Sequence, residues 1–121
     1  MGKKLARKMY YMGLDELFTE IFLYMDGTVE FVNYTDNIMN RAFGVKESPL
    51  NIRDLEKLLE YRSFPRTRGN ANELLRDLGL EFYEVFSIVE KTHGVMFDDI
   101  YWIKFEGEDI TYADARRMIG L

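Results

Sequence analysis

The sequence predicts a small α+β domain. Its clearest strand pair comes ahead of a run of short helices, without the strand–helix alternation of a parallel sheet. Apolar residues make up 47% of the 121, enough to fill one core. The expected architecture is an N-terminal β-hairpin plus a further strand, forming a small antiparallel sheet packed against three to four short helices. The expected division is a basic N-terminal arm or short helix over 1–13, followed by a single α+β domain over 14–121.

Each element has its own signal. Over residues 3–12, Leu5, Met9 and Met12 fall on one side of a short basic helix that Gly13 would end. Residues 18–34 place two apolar runs either side of Asp26-Gly27, the dipeptide of a two-residue type I′ turn. Counting outward from that turn sets Tyr24 opposite Val29 and Phe22 opposite Phe31 as the core face. Leu23–Glu30 and Ile21–Val32 then form the mixed face. Residues 35–50 carry Asn37, Asn40, Gly44, Ser48 and Pro49 and read as irregular. Asn51 caps a helix running to about Arg62, with Ile52, Leu55, Leu58 and Leu59 as its stripe.

After a loop around Phe64-Pro65, Asn70 and Glu73 have the spacing of a capping box, and Gly79 stops that helix. Phe82, Val85, Phe86 and Val89 mark the next helix, closed by Gly94. The two together form a helix-turn-helix-like corner. Ile100 to Phe105 alternates as a strand, with Tyr101, Ile103 and Phe105 inward. Thr111 with Asp114 caps a last short helix ending at Gly120.

Composition narrows the chemistry. The chain has no cysteine, which removes disulfides, thiolate catalysis and cysteine-held zinc. No apolar run reaches the roughly 18 residues of a membrane span. Both features suit a cytoplasmic, unanchored protein. Net charge is −5, although Lys3, Lys4, Arg7 and Lys8 open the chain. The acidic remainder argues against direct nucleic-acid binding, which needs clustered cations. The second helix of the 70–93 corner carries Glu81, Glu84 and Glu90, the wrong balance for reading DNA.

Few residues could carry a reaction. His93 is the only histidine, with Asp98 and Asp99 close behind, and one imidazole with two carboxylates is the minimum for a metal or acid–base site. A histidine before a glycine at a helix end also serves simply as a cap. The most distinctive local feature is Tyr61-Arg-Ser-Phe-Pro-Arg-Thr-Arg-Gly69. Its Arg62, Arg66 and Arg68 precede a helix start and fit either an anionic partner or internal pairing with Asp54, Glu60, Glu73 or Asp77. Trp102 fits either core cover or an interface anchor. No catalytic residue, cofactor or metal is expected.

Pro65-Arg-Thr-Arg68, the run Glu73-Leu-Leu-Arg-Asp-Leu-Gly-Leu80 and Gly94-Val-Met-Phe-Asp-Asp-Ile-Tyr-Trp102 resemble a stretch ahead of the kinase core in some HipA-type serine/threonine kinases. The likeness covers about residues 60 to 105. It implies an accessory module in a bacterial toxin–antitoxin or mobile-element setting. It transfers no catalytic residue, because the ATP-binding loop, catalytic aspartate and metal-holding side chains of a kinase are missing here.

The expectation for function is therefore a non-enzymatic protein-interaction module, regulating a HipA-like kinase. Its binding residues would come from Arg62, Arg66, Arg68, Trp102, Asp98 and Asp99. An alternative is a phage or mobile-element inhibitor of a defence nuclease, working through the acidic clusters Asp98/Asp99 and Glu106/Glu108/Asp109. A third reading is a small metal-dependent hydrolase built on His93, Asp98 and Asp99. Hairpin edges and exposed aromatics leave room for a homodimer.

Overall fold

The computed structural model describes residues 4–121, and its first strand is one that the sequence pattern reads as a helix. Strand β1 runs Leu5–Gly13, followed by β2 (Glu16–Tyr24) and β3 (Thr28–Asn33). A 3₁₀ turn at Ile38–Asn40 leads to the two-residue β4 (Leu50–Asn51) and helix α1 (Ile52–Tyr61). Helices α2 (Ala71–Asp77) and α3 (Val85–Thr92) precede β5 (Tyr101–Phe105), and α4 (Tyr112–Met118) closes the order. The sheet is antiparallel throughout, in the order β4-β3-β2-β1-β5. The α+β expectation holds.

The expected arm or helix at 1–13 is corrected wherever it is described; Lys3 lies outside the described residues. β1 pairs with β2 on one side and β5 on the other, so it occupies an interior position of the sheet. Met9 and Tyr11 enter one core while Met12 enters a second on the opposite face. Two ladders of hydrogen bonds outweigh the modest helix preference of Leu-Ala-Arg-Lys. The turn into β2 contains Leu14 at φ +52°, a conformation usually left to Gly or Asn. It is fixed from outside: Leu14 N donates to Ile100 O at 2.9 Å, and the Trp102 indole donates to Leu14 O at 2.6 Å.

The β2–β3 hairpin is where expected, but its register is one residue different. Leu23 pairs with Val29, Phe22 with Glu30 and Ile21 with Phe31. The loop comprises Met25, Asp26 and Gly27, with Gly27 at φ +86° and its N–H bonded to Tyr24 O. That is the three-residue connection ending in a left-handed glycine. A slip of one residue turns every side chain to the other face. Ile21, Leu23 and Val29 are accordingly buried, and Phe22, Tyr24 and Glu30 take the opposite side.

Two cores result. The larger joins Met9, Tyr11, Phe18, Ile21, Leu23, Val29 and Ile103 to Leu55, Leu58 and Leu59 of α1 and to Val85 and Val89 of α3. Each fully buried aliphatic contributes on the order of 1.5–3 kcal/mol. The smaller core packs Met12 and Trp102 against Val95 and Ala115, so α4 covers one end of the second face.

Asn51 and Thr111 cap their helices as expected, and both caps are reciprocal capping boxes, with Asp54 and Asp114. Asn70 forms no such box: it adopts φ −106°, ψ 24° and makes no side-chain cap bond. An N-cap needs extended backbone to turn its side chain back onto the first turn. Helix α3 begins later than expected. Glu84 caps it through the Phe86 and Ser87 N–H groups, leaving Phe82 exposed ahead of the helix. Helix α3 packs against α1.

Candidate functional site: a basic and aromatic face around Tyr61

Arg62 follows the last turn of α1 and turns inward. It is 2% exposed. Its guanidinium grips Asp99 with two bonds of 2.8 Å, and it also donates to Gly94 O at 3.0 Å and Tyr101 O at 2.7 Å. One side chain thus ties α1 to the α3–β5 connection and to β5. Gly94 fits because it lacks a side chain: at φ +65°, an added Cβ would stand 3.0 Å from Arg62 Cβ. Burial works against ionisation of Asp99. The hydrogen bonds and charge of Arg62, with the Tyr101 N–H, outweigh it and hold the carboxyl below its ordinary value. Asp99 also caps the start of β5 by accepting from Tyr101 N at 3.1 Å.

This corrects the grouping of Arg62, Arg66 and Arg68 as one binding loop. Arg62 and Asp99 are partners inside the fold. Arg66 and Arg68 are exposed, with the Arg66 guanidinium 4.8 Å from the centre of the Tyr83 ring. Tyr83 in turn holds the loop by donating to Phe64 O at 2.7 Å. Neither Arg66 nor Arg68 pairs with a carboxylate of the described residues, so the expected pairing with Asp54, Glu60, Glu73 or Asp77 is not formed. Those that do pair use other cations, Lys46 with Asp54 and Arg53 with Glu60, both at 3.0 Å.

Trp102 is core, not an interface anchor. It is 0% exposed, and its indole N–H is spent on Leu14 O. His93 is likewise internal. It ends α3 at φ +56°, and its Nε2 lies 2.7 Å from Glu108 Oε2. A carboxylate only accepts, so Nε2 carries the proton. Nδ1 is buried without a partner. His93 and Asp99 are committed to different partners, Asp98 is exposed, and no three His, Asp or Glu side chains converge among the described residues. The metal-site expectation therefore finds no assembled ligand set there. Of the second acidic cluster, Glu108 is tied to His93 and to Phe105 N, while Glu106 and Asp109 are exposed.

The face that does assemble centres on Tyr61, which is 73% exposed. Lys57 and Tyr61 border two neighbouring hollows. One also contains Pro65, Arg66 and Tyr83; the other contains Met39, Arg41, Lys46 and Tyr11. A third hollow, beyond Pro65, adds Arg68 and the 79% exposed Phe97. Arg41 and Lys57 pair with no described carboxylate. The sequence marks neither as a binding residue. Lys57 sits among the charges of a solvated helix face, and Arg41 lies in an irregular segment, so neither has a local pattern to mark it. The chain, scanned against protein-family models, curated proteins and solved structures, matches none of them.

Proposed function

We propose that this domain is a non-enzymatic binding module that docks an acidic protein partner on the Lys57–Tyr61–Arg66–Arg68 face. One observation carries the reading: in a chain of net charge −5, Lys57, Arg66 and Arg68 form no ion pair among the described residues, although Glu60 and Asp98 lie in the same hollows, and they share a surface with exposed Tyr61 and Phe97. Clustered cations beside exposed aromatics favour fast encounter with an anionic surface and then burial of ring area. The residues that could have suggested chemistry, His93 and Asp99, are occupied in holding the fold. The HipA-type resemblance over residues 60 to 105 includes Arg66 and Arg68, and it makes a kinase of that type the first partner to try.

The test is affinity capture from the native host, comparing the wild type with Lys57→Glu/Arg66→Glu/Arg68→Glu. A kinase held by the wild type and lost from the variant is the expected result. A captured nuclease released instead by charge reversal at Asp98, Glu106 and Asp109 would move the docking surface to the acidic side. Equal capture by every form would overturn the proposal.

A further inference from the structure

The hollow between α1 and the Ile38–Lys46 segment is a cavity of about 510 Å³, within the size range of small-molecule sites. Its walls include Met39, Ala42, Phe43 and Leu58. Tyr11 and Tyr101, which also line it, stack on each other with centroids 5.6 Å apart and planes 10° from parallel. Tyr101 has its hydroxyl satisfied, donating to Asn40 Oδ1 at 2.7 Å. Tyr11 differs. It is 6% exposed, and its hydroxyl bonds to no described residue although Arg62, Asp99, Tyr61 and Tyr101 all act on it electrostatically. Among the described residues the polar side-chain atoms buried without a partner are Ser63 Oγ and His93 Nδ1, so the Tyr11 hydroxyl keeps access to the cavity and can donate to a group placed there. Burial pushes the Tyr11 hydroxyl up to about 12 against the opposing charge of Arg62, so at neutral pH it is a donor.

The charges around the cavity are unbalanced. Arg41, Lys46, Lys57 and Arg62 line it against Asp54 and Asp99 alone. Asp54 is taken by Lys46 and Asp99 by Arg62. Arg41 uses its Nε on Thr35 O at 2.9 Å, which orients the side chain and leaves its terminal nitrogens without a described partner.

We infer that this cavity binds a small aromatic anion, with the ring against the Tyr11–Tyr101 wall and a phosphate or carboxylate held by Arg41 and Lys57. Tyr11 donates to an acceptor on the ligand, and the apolar walls exclude water from the ring. The cavity shares Lys57 and Tyr61 with the docking face but reaches inward to Tyr11, and its test needs no partner.

The purified protein is titrated with phenyl phosphate, benzoate and AMP, with inorganic phosphate as control, while backbone amide shifts are followed by NMR. Saturable shifts at Arg41, Leu58 and Tyr61, at about 1 mM or tighter, are expected from at least one aromatic anion. Comparing phenyl phosphate with benzoate tells which anionic group the site takes. Tyr11→Phe removes only that hydroxyl, so its thermal midpoint should match the wild type while affinity falls about tenfold, as for a hydrogen bond lost to the ligand. Arg41→Ala should weaken binding at least as much. The inference is overturned if no aromatic anion gives saturable shifts. It is overturned equally if inorganic phosphate shifts the same amides as strongly and Tyr11→Phe changes nothing.

Discussion

Within seven residues, the segment after α1 uses one residue type in two opposite ways. Arg62 is almost wholly buried and satisfies four acceptor atoms on three stretches of chain. Arg66 and Arg68 stand in solvent, the first resting on an aromatic ring and the second without a described partner. A guanidinium can be buried only where a carboxylate and carbonyls meet its fork, and Asp99, Gly94 and Tyr101 supply that arrangement at one point alone. Proximity in sequence therefore says little about shared role. The inner arginine belongs to stability and the outer two are available for recognition.

The widest separation between them should appear on truncation. Arg62→Ala strips the donors from Asp99 and two carbonyls, and losing one partner of a buried pair costs on the order of 3–5 kcal/mol. Because Asp99 keeps 27% of its side chain in solvent, the lower end of that range is expected. Urea unfolding should register the loss as a lower midpoint. Replacing both partners, as Arg62→Met/Asp99→Leu, should recover part of it, since the isolated charge is then gone. Arg68→Ala should stay within about 0.5 kcal/mol of the wild type, as surface changes do. Equal losses at positions 62 and 68 would erase the distinction.

Acid sharpens the same contrast. The carboxyl of Asp99 ionises more readily in the fold than its unfolded value of about 3.9. Its contribution is therefore complete above that value and is lost as pH falls through the lower, folded-state pKa. Asp99→Asn should be less stable than the wild type at pH 7, and the two should converge once pH drops well below about 4. Asp54, Asp114 and Glu84 are shifted in the same direction and remain in both proteins, so the difference between the two curves isolates Asp99. Unfolding midpoints taken from neutral to strongly acid pH check this. A gap that persists unchanged into acid would mean that Asp99 acts by shape alone.

Legibility in the sequence followed the range of the interactions. The caps at Asn51 and Thr111 could be read because a helix N-cap is a local signal, set within three residues. The β2–β3 hairpin was locatable from Asp26-Gly27. Its register was not, because two-residue and three-residue loops both favour glycine there and differ by one step of pairing. Strand β1 was hidden because its partners come from residues 16–24 and 101–105, and because its turn uses Leu14 where a glycine would have given a signal. The site was legible in half. The Arg66 and Arg68 charges were visible, but the company kept by Arg62 depends on Asp99, 37 residues on. Tyr11, Arg41, Lys57 and Tyr101 meet only through the fold.

The smallest effect concerns how the outer loop is held while its charges stay available. Arg66 lies over Tyr83, whose hydroxyl donates to Phe64 O, and Phe64 packs edge-on against the same ring at 5.7 Å. A cation over an exposed ring is worth about 0.5–1 kcal/mol, far less than the buried pair at Arg62. A double-mutant cycle with Arg66→Ala and Tyr83→Leu, read by urea unfolding, should give a coupling no larger than that. Tyr83→Leu alone should cost more than Arg66→Ala, because it also removes the donor to Phe64 O. A coupling of several kcal/mol would mean that Arg66 is as structural as Arg62, and the loop would then have no arginine to spare for a partner except Arg68.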